Sequence, residues 1–168
     1  MLASADDIRQ VRPVARNLSD GERINTYILE VEQLQVAPAI GVRLYEALDE
    51  GTSTLTEAQR TTLLDGGYYD DPHGDRARCG GLKKAIGYLA YARLINNNQL
   101  NTTAFGEVVK KSEFSEPSDE GRIAYAANQS KKVGQAYLDT CVGYLKSIGA
   151  IAGVPARVNS VTFKAIGD

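Results

Sequence analysis

His73 is the chain's only histidine, and it stands in a run of residues that could do chemistry: Asp70-Asp71-Pro72-His73-Gly74-Asp75, with Cys79 shortly after. Carboxylates, imidazole and thiol this close together are the ingredients of a divalent-cation site. The spacing argues against one. It breaks the D-x-[DN]-x-[DN]-G pattern of a calcium loop, and zinc needs more His or Cys ligands than the stretch supplies. Asp, Pro and Gly are also the residues a solvated turn selects for backbone reasons, so the run reads as turn chemistry. A Cys79–His73 nucleophilic pair has no orienting partner and no oxyanion motif beside it.

Other catalytic signatures are missing. There is no Walker loop, no G-x-G-x-x-G after a strand and no H-E-x-x-H. The pairs Gly66-Gly67 and Gly80-Gly81 lack the Lys-Ser/Thr that a phosphate cradle needs. Glu30 and Glu32, two positions apart, cannot share one helix face. No cofactor and no metal is expected, and the chain reads as a non-enzyme. Lysines come in pairs, Lys83-Lys84, Lys110-Lys111 and Lys131-Lys132, without the interleaved aromatics of a single-strand binder, and they read as ordinary surface lysines.

Composition sets the frame for these residues. The 168 residues fit one domain, and 19 basic against 21 acidic residues leave a net charge of −2, which argues against a general nucleic-acid coat. Two cysteines make no disulfide scaffold; free thiols in a reducing cytoplasm is the simplest reading. No apolar run is long enough for a membrane helix, and the acidic start is unlike a signal peptide.

Helical periodicity dominates the chain. Ser4 with Asp7 opens a short helix that Pro13 stops. Ser19 with Glu22 opens a second, with a stripe of Ile24, Tyr27, Ile28, Val31 and Leu34. Pro38 suits the first turn of a third helix, with Ile40, Leu44, Tyr45 and Leu48 inward until Gly51. Thr56–Asp65 is a short fourth. Residues 66–81 read as an exposed loop. Leu82–Ile95 is apolar nearly all round and is therefore expected at the centre, leaving at Asn96-Asn97-Asn98. From Thr102 to Ser115 the helical stripe disappears, and this is the only strand-like stretch expected inside the chain, an extended arm or hairpin. Ser118 caps a long helix to about Ile148. Its stripe is Ile123, Ala126/Ala127, Val133, Tyr137, Leu138, Cys141, Tyr144, Leu145 and Ile148, with small residues Ala127, Ser130 and Gly134 for close approach. The expectation is a mainly α fold, a compact helical bundle over residues 1–149 with an extended arm or β-hairpin around 102–116. Residues 150–168 are expected to form a C-terminal arm.

Several segments carry a family resemblance. Ile8–Val14 (IRQVRPV), Tyr27–Glu32 (YILEVE) and Ile40–Leu48 (IGVRLYEAL) resemble the opening of small head–tail connector proteins of tailed phages. The likeness is to an uncharacterised branch from phages and prophages of Bacteroides-like bacteria. Further matching motifs are Leu64–Gly67 (LDGG), Gly81–Arg93 (GLKKAIGYLAYAR), Thr103–Lys110 (TAFGEVVK) with Ser115-Glu116, and Gly134–Leu138 (GQAYL) with Tyr144-Leu145. Together they run from about residue 8 to 146; the segment after Gly149 matches none of it. The resemblance implies a virion protein, made in the host cytoplasm, that assembles as a homo-oligomeric ring between the portal and a tail-completion protein. DNA would pass through that ring without sequence-specific binding. The other reading is a small helical protein-interaction module of prophage origin with no virion role. In either case the expected contact residues are Thr103, Phe105, Val108 and Val109 on the arm, which would be costly to leave in water, with Lys110 and Lys111 orienting it against acidic groups.

Overall fold

The structure, a computed structural model, describes residues 1–11, 21–97, 100–103, 106–109 and 120–151. The fold is mainly α. Helix α1 is Ala5–Val11, and the Asp7 carboxylate ties its first turn by accepting the Ser4 backbone N–H and hydroxyl, each at 2.8 Å. Helix α2, Gly21–Val31, runs on through a π turn, Glu32–Val36, into the single turn of α3, Ala37–Ile40.

Pro38 accounts for the π turn. It lies inside this continuous helix, has no N–H for the Leu34 carbonyl, and its ring would strike that carbonyl in regular α geometry. The helix widens instead, and the Ala37 N–H reaches back five residues to the Glu32 carbonyl. The widening changes which residues face inward. Ile24, Ile28, Glu32, Val36 and Ile40 are all buried, at a strict spacing of four. In an ordinary helix that spacing drifts by about 40° per step; the wide turn takes out part of the drift. Leu34, expected on the inner stripe, is 64% exposed as a result.

The helix expected from Pro38 to Gly51 is two helices. Gly41, at φ 92°, breaks the chain between α3 and α4, Val42–Asp49, and Leu48 is the buried residue of α4. Helix α5, Glu57–Asp65, begins with a capping box: the Thr56 hydroxyl accepts the Gln59 N–H at 3.3 Å, and the Gln59 side chain accepts the Thr56 N–H at 2.9 Å. The loop expected over 66–81 is largely a hairpin. Strand β1, Gly67–Asp70, pairs antiparallel with β2, Arg76–Cys79, in the register Gly67↔Cys79 to Asp70↔Arg76.

Helix α6, Leu82–Asn97, is the centre, as its all-round apolar sequence predicts. Leu82, Ala85, Ile86, Leu89, Ala90 and Leu94 are all buried, against α7 on one side and α1, α2 and α5 on others. A second hairpin follows, β3 (Leu100–Thr103) with β4 (Gly106–Val109). Helix α7, Glu120–Ser147, then packs along α6. The small-residue positions make this approach possible. Ala127 and Ser130 are 2% exposed, and a Cβ on Gly134 would come within 2.7 Å of Leu89 Cγ. Tyr88 and Tyr137 stack between the two helices at 5.7 Å. Ala126, offered as an alternative to Ala127 on the stripe, is exposed. The helix starts expected at Ser19 and Ser118, and the C-terminal arm from residue 152 onward, lie outside the described residues.

Leu89 packs against α7 where Gly134 leaves no room for a Cβ, and is 2% exposed. Leu89→Ala is expected to cost about 2–5 kcal/mol in urea unfolding. A loss below about half a kcal/mol, under the lower bound for such truncations, would show that α6 is not the centre of the fold.

Candidate functional site

The arm expected around 102–116 is, where described, the β3–β4 hairpin. Thr103 ends β3 and pairs with Gly106, Val108 pairs with Asn101, and Val109 with Leu100. Phe105, Lys110 and Lys111 lie outside the described residues. The expectation that this is the only strand-like stretch is corrected by β1–β2. That second sheet does not pair with the arm, because each hairpin is a separate two-stranded sheet. Among the described residues, then, no third strand pairs with the outer edge of β3 or β4. Such edges carry a row of backbone donors and acceptors that another chain can pair with.

The sequence signal for β1–β2 was alternation. Gly67, Tyr69, Ala77 and Cys79 are partly or fully covered, while Tyr68, Asp70, Arg76 and Arg78 face water. On the wet face the Arg76 and Arg78 guanidinium groups lie over the Tyr68 ring, at 4.6 and 5.8 Å from its centroid. Tyr69, on the covered face, meets Tyr144 of α7 edge-on at 4.8 Å. Turn residues spread over 66–81 obscured two four-residue strands.

The turn itself uses its carboxylate for backbone work. Asp71 Oδ1 accepts the N–H groups of both His73 and Asp75 at 2.9 Å, and the Asp71 N–H donates to the Asp75 carbonyl at 2.9 Å. His73 is exposed at this tip, whereas Cys79 is buried at the other end of the hairpin, so the structure keeps the two apart. Among the described residues no three His, Cys, Asp or Glu side chains converge in a way that could hold a metal ion.

The structure instead brings Cys79 to Cys141 of α7, with Sγ atoms 3.6 Å apart and both residues fully buried. The hydrogen bond between the sulfurs lowers the Cys79 thiol against the opposing effect of burial, while the same bond and burial raise Cys141. Beside them the Thr140 hydroxyl accepts the Gly80 N–H at 2.9 Å and donates to the Tyr137 carbonyl at 2.7 Å. Arg78, Gly80, Val133, Ala136, Tyr137 and Thr140 line a cavity of about 270 Å³ there. A second cavity, of about 220 Å³, lies between α6 and α7 near Arg93, Asn96, Asn128 and Lys131. Of the lysine pairs, Lys83 is bound to Asp65 at 2.7 Å, and Lys131 and Lys132 are exposed on α7.

Sequence reading also missed Glu32. Its carboxylate is completely buried and receives three donors: the Leu2 N–H at 2.8 Å and the Ala3 N–H at 3.0 Å on Oε1, and the Tyr45 hydroxyl at 2.9 Å on Oε2. Burial, then the hydrogen bond and charge of Glu32, push the Tyr45 phenol up to about 12. Glu30, two positions earlier, instead pairs with Arg93 at 2.6 Å. This centre joins the start of the chain, the π turn and α4, and its geometry is that of a structural tie.

Residues 36–150, more than two thirds of the chain, match the family of unknown function DUF6712, and the chain belongs to that family. No curated protein and no solved structure matches it.

Two predictions follow from these geometries. A phenol raised from near 10 to about 12 stabilises the fold fully below about pH 10 and loses that contribution as pH rises through about 12. Tyr69 and Tyr144 are raised too, chiefly by burial, so the fold should weaken over this alkaline range. Wild type should hold its stability advantage over Tyr45→Phe up to about pH 10 and lose part of it by about pH 12, measured by urea midpoints. An advantage that does not change with pH would refute the coupling. For the 70–79 turn, calorimetry with zinc, calcium or manganese should show no micromolar binding. Binding abolished by Asp71→Ala and His73→Ala together would overturn this.

Proposed function

We propose that this DUF6712 member is a structural protein of tailed phages, a head–tail connector that assembles as a closed ring between portal and tail-completion protein. The observation that carries the reading is the β3–β4 hairpin, a two-stranded sheet whose outer edges have no third strand among the described residues. A neighbouring copy or the portal can pair with such an edge by strand addition, and head-to-tail repetition of one contact generates a ring when the rotation closes. The sequence resemblance to connector proteins, from about residue 8 to 146, supports the same reading. So does a net charge of −2, which suits a ring that lets DNA through without gripping its phosphates.

In this proposal the chain performs no reaction and needs no cofactor. Its contact residues are Thr103, Phe105, Val108 and Val109, and Lys110 and Lys111 orient the arm against acidic groups on the partner. Burying one large apolar side chain such as Phe105 contributes about 1.5–3 kcal/mol, and a ring repeats that contact at every interface. The protein resides in the virion and, before assembly, in the host cytoplasm.

Replacing Phe105 and Val108 together with Ser tests the proposal. The variant should keep the helical signal and melting temperature of the wild-type protein yet fail to form rings with portal complexes, as seen by electron microscopy and in head–tail joining. A fall in the melting temperature of the isolated chain would assign those side chains to the protein's own core and remove the arm from the interface.

A further inference from the structure

The pair of buried thiols is not used by the proposed assembly. Cys79 ends β2 and Cys141 lies in α7, 62 positions away in sequence, yet their sulfurs are 3.6 Å apart. A disulfide needs about 2.05 Å, so the sulfurs would have to come about 1.5 Å closer than their present contact. We propose that Cys79 and Cys141 form a peroxide-oxidisable dithiol that closes to an intramolecular disulfide, tying the β1–β2 hairpin to α7.

Three features of the site fit this chemistry. First, the sulfurs face one another with no other cysteine in the chain to compete. Second, the environment divides their roles. The hydrogen bond with Cys141 lowers the Cys79 thiol against the opposing effect of burial, while the same bond and burial raise Cys141. Cys79 is therefore the attacking sulfur and Cys141 the resolving one. Third, Gly80 and Thr140, next in sequence to the two cysteines, line a cavity of about 270 Å³, which brings open space to within one residue of each thiol along the chain.

The oxidant is a hydroperoxide, the smallest being hydrogen peroxide. The Cys79 thiolate attacks one peroxide oxygen, the O–O bond breaks, and Cys79 becomes a sulfenic acid as hydroxide leaves and takes up a proton. The Cys141 sulfur then attacks the Cys79 sulfur, the S–S bond forms, and the sulfenic oxygen departs as water with the Cys141 proton. Overall two thiols and one peroxide give one disulfide and two waters. Two electrons pass from sulfur to oxygen.

The test treats the full-length, reduced protein with hydrogen peroxide, quenches it, then denatures it in an alkylating reagent. The expected result is an intact mass lower by two hydrogens and no alkylated thiol. Digestion should yield a Cys79–Cys141 linked peptide that dithiothreitol releases, and the melting temperature should rise by roughly 5–10 °C. In Cys141→Ser, Cys79 should instead be trapped by dimedone as the sulfenic acid. The proposal is overturned if both thiols of the wild-type protein remain alkylatable, if Cys79 goes to sulfinic acid without a cross-link, or if the only disulfide joins two chains. The wild-type peptide map decides the matter even if the variant does not fold.

Discussion

Helix α6 has almost no polar face to offer water, and the arrangement of the molecule follows from covering it. Leu82, Ile86 and Leu89 share one face of the helix, Ala90 and Leu94 lie round to one side of it and Ala85 and Ala92 to the other, and all are buried. No single partner can cover such a surface. Helix α7 takes one side, made possible by Gly134, Ser130 and Ala127, and α1, α2 and α5 take others. Close packing of this kind leaves little tolerance for changes in volume, so α6 fixes where its neighbours lie. The two hairpins are the chain's entry to α6 and its exit from it. They are thereby placed at the opposite ends of the most constrained element in the protein.

The hairpins differ in how they use that position. β1–β2 is part of the body: Tyr69 meets Tyr144, and Cys79 is buried against Cys141. Its tip is held by Asp71, which spends its carboxylate oxygen on two backbone N–H groups, and its wet face is closed by arginines over Tyr68. β3–β4 forms a sheet of its own with open edges among the described residues. The hairpin anchored by side chains carries the internal chemistry of the thiol pair. The other one carries the proposed contact with neighbouring subunits, for which open backbone edges are the useful property.

Glu32 shows how a backbone irregularity can hold a polar group in a core. A buried carboxylate is costly unless donors surround it, and this one receives two backbone N–H groups and a phenol. The donors come from segments far apart in sequence, the residues before α1 and the middle of α4. The π turn that starts at Glu32 keeps residues 24, 28, 32, 36 and 40 on one inner face, so the carboxylate enters the core along with its apolar neighbours. Pro38 is thus coupled, through the shape of the helix, to how the start of the chain is fastened.

The sequence by itself determined the elements whose signal is local and periodic. The α6 helix was legible because Leu82–Ile95 is apolar nearly all round, and α5 because Thr56 and Gln59 can cap each other. The close approach at Gly134 was legible because a small residue on an apolar stripe has few other uses. Tertiary structure decided the rest. Leu34 lies on an ideal stripe but outside the core, because Pro38 widens the turn beneath it. Gly41 splits a helix that periodicity alone joins, because a positive φ cannot be read from an apolar pattern. Two four-residue strands around a turn gave too short an alternation to separate from loop chemistry. The meeting of Cys79 with Cys141, and of Glu32 with Leu2, Ala3 and Tyr45, depends on contacts between distant segments, and those exist only once α6 has been covered from every side.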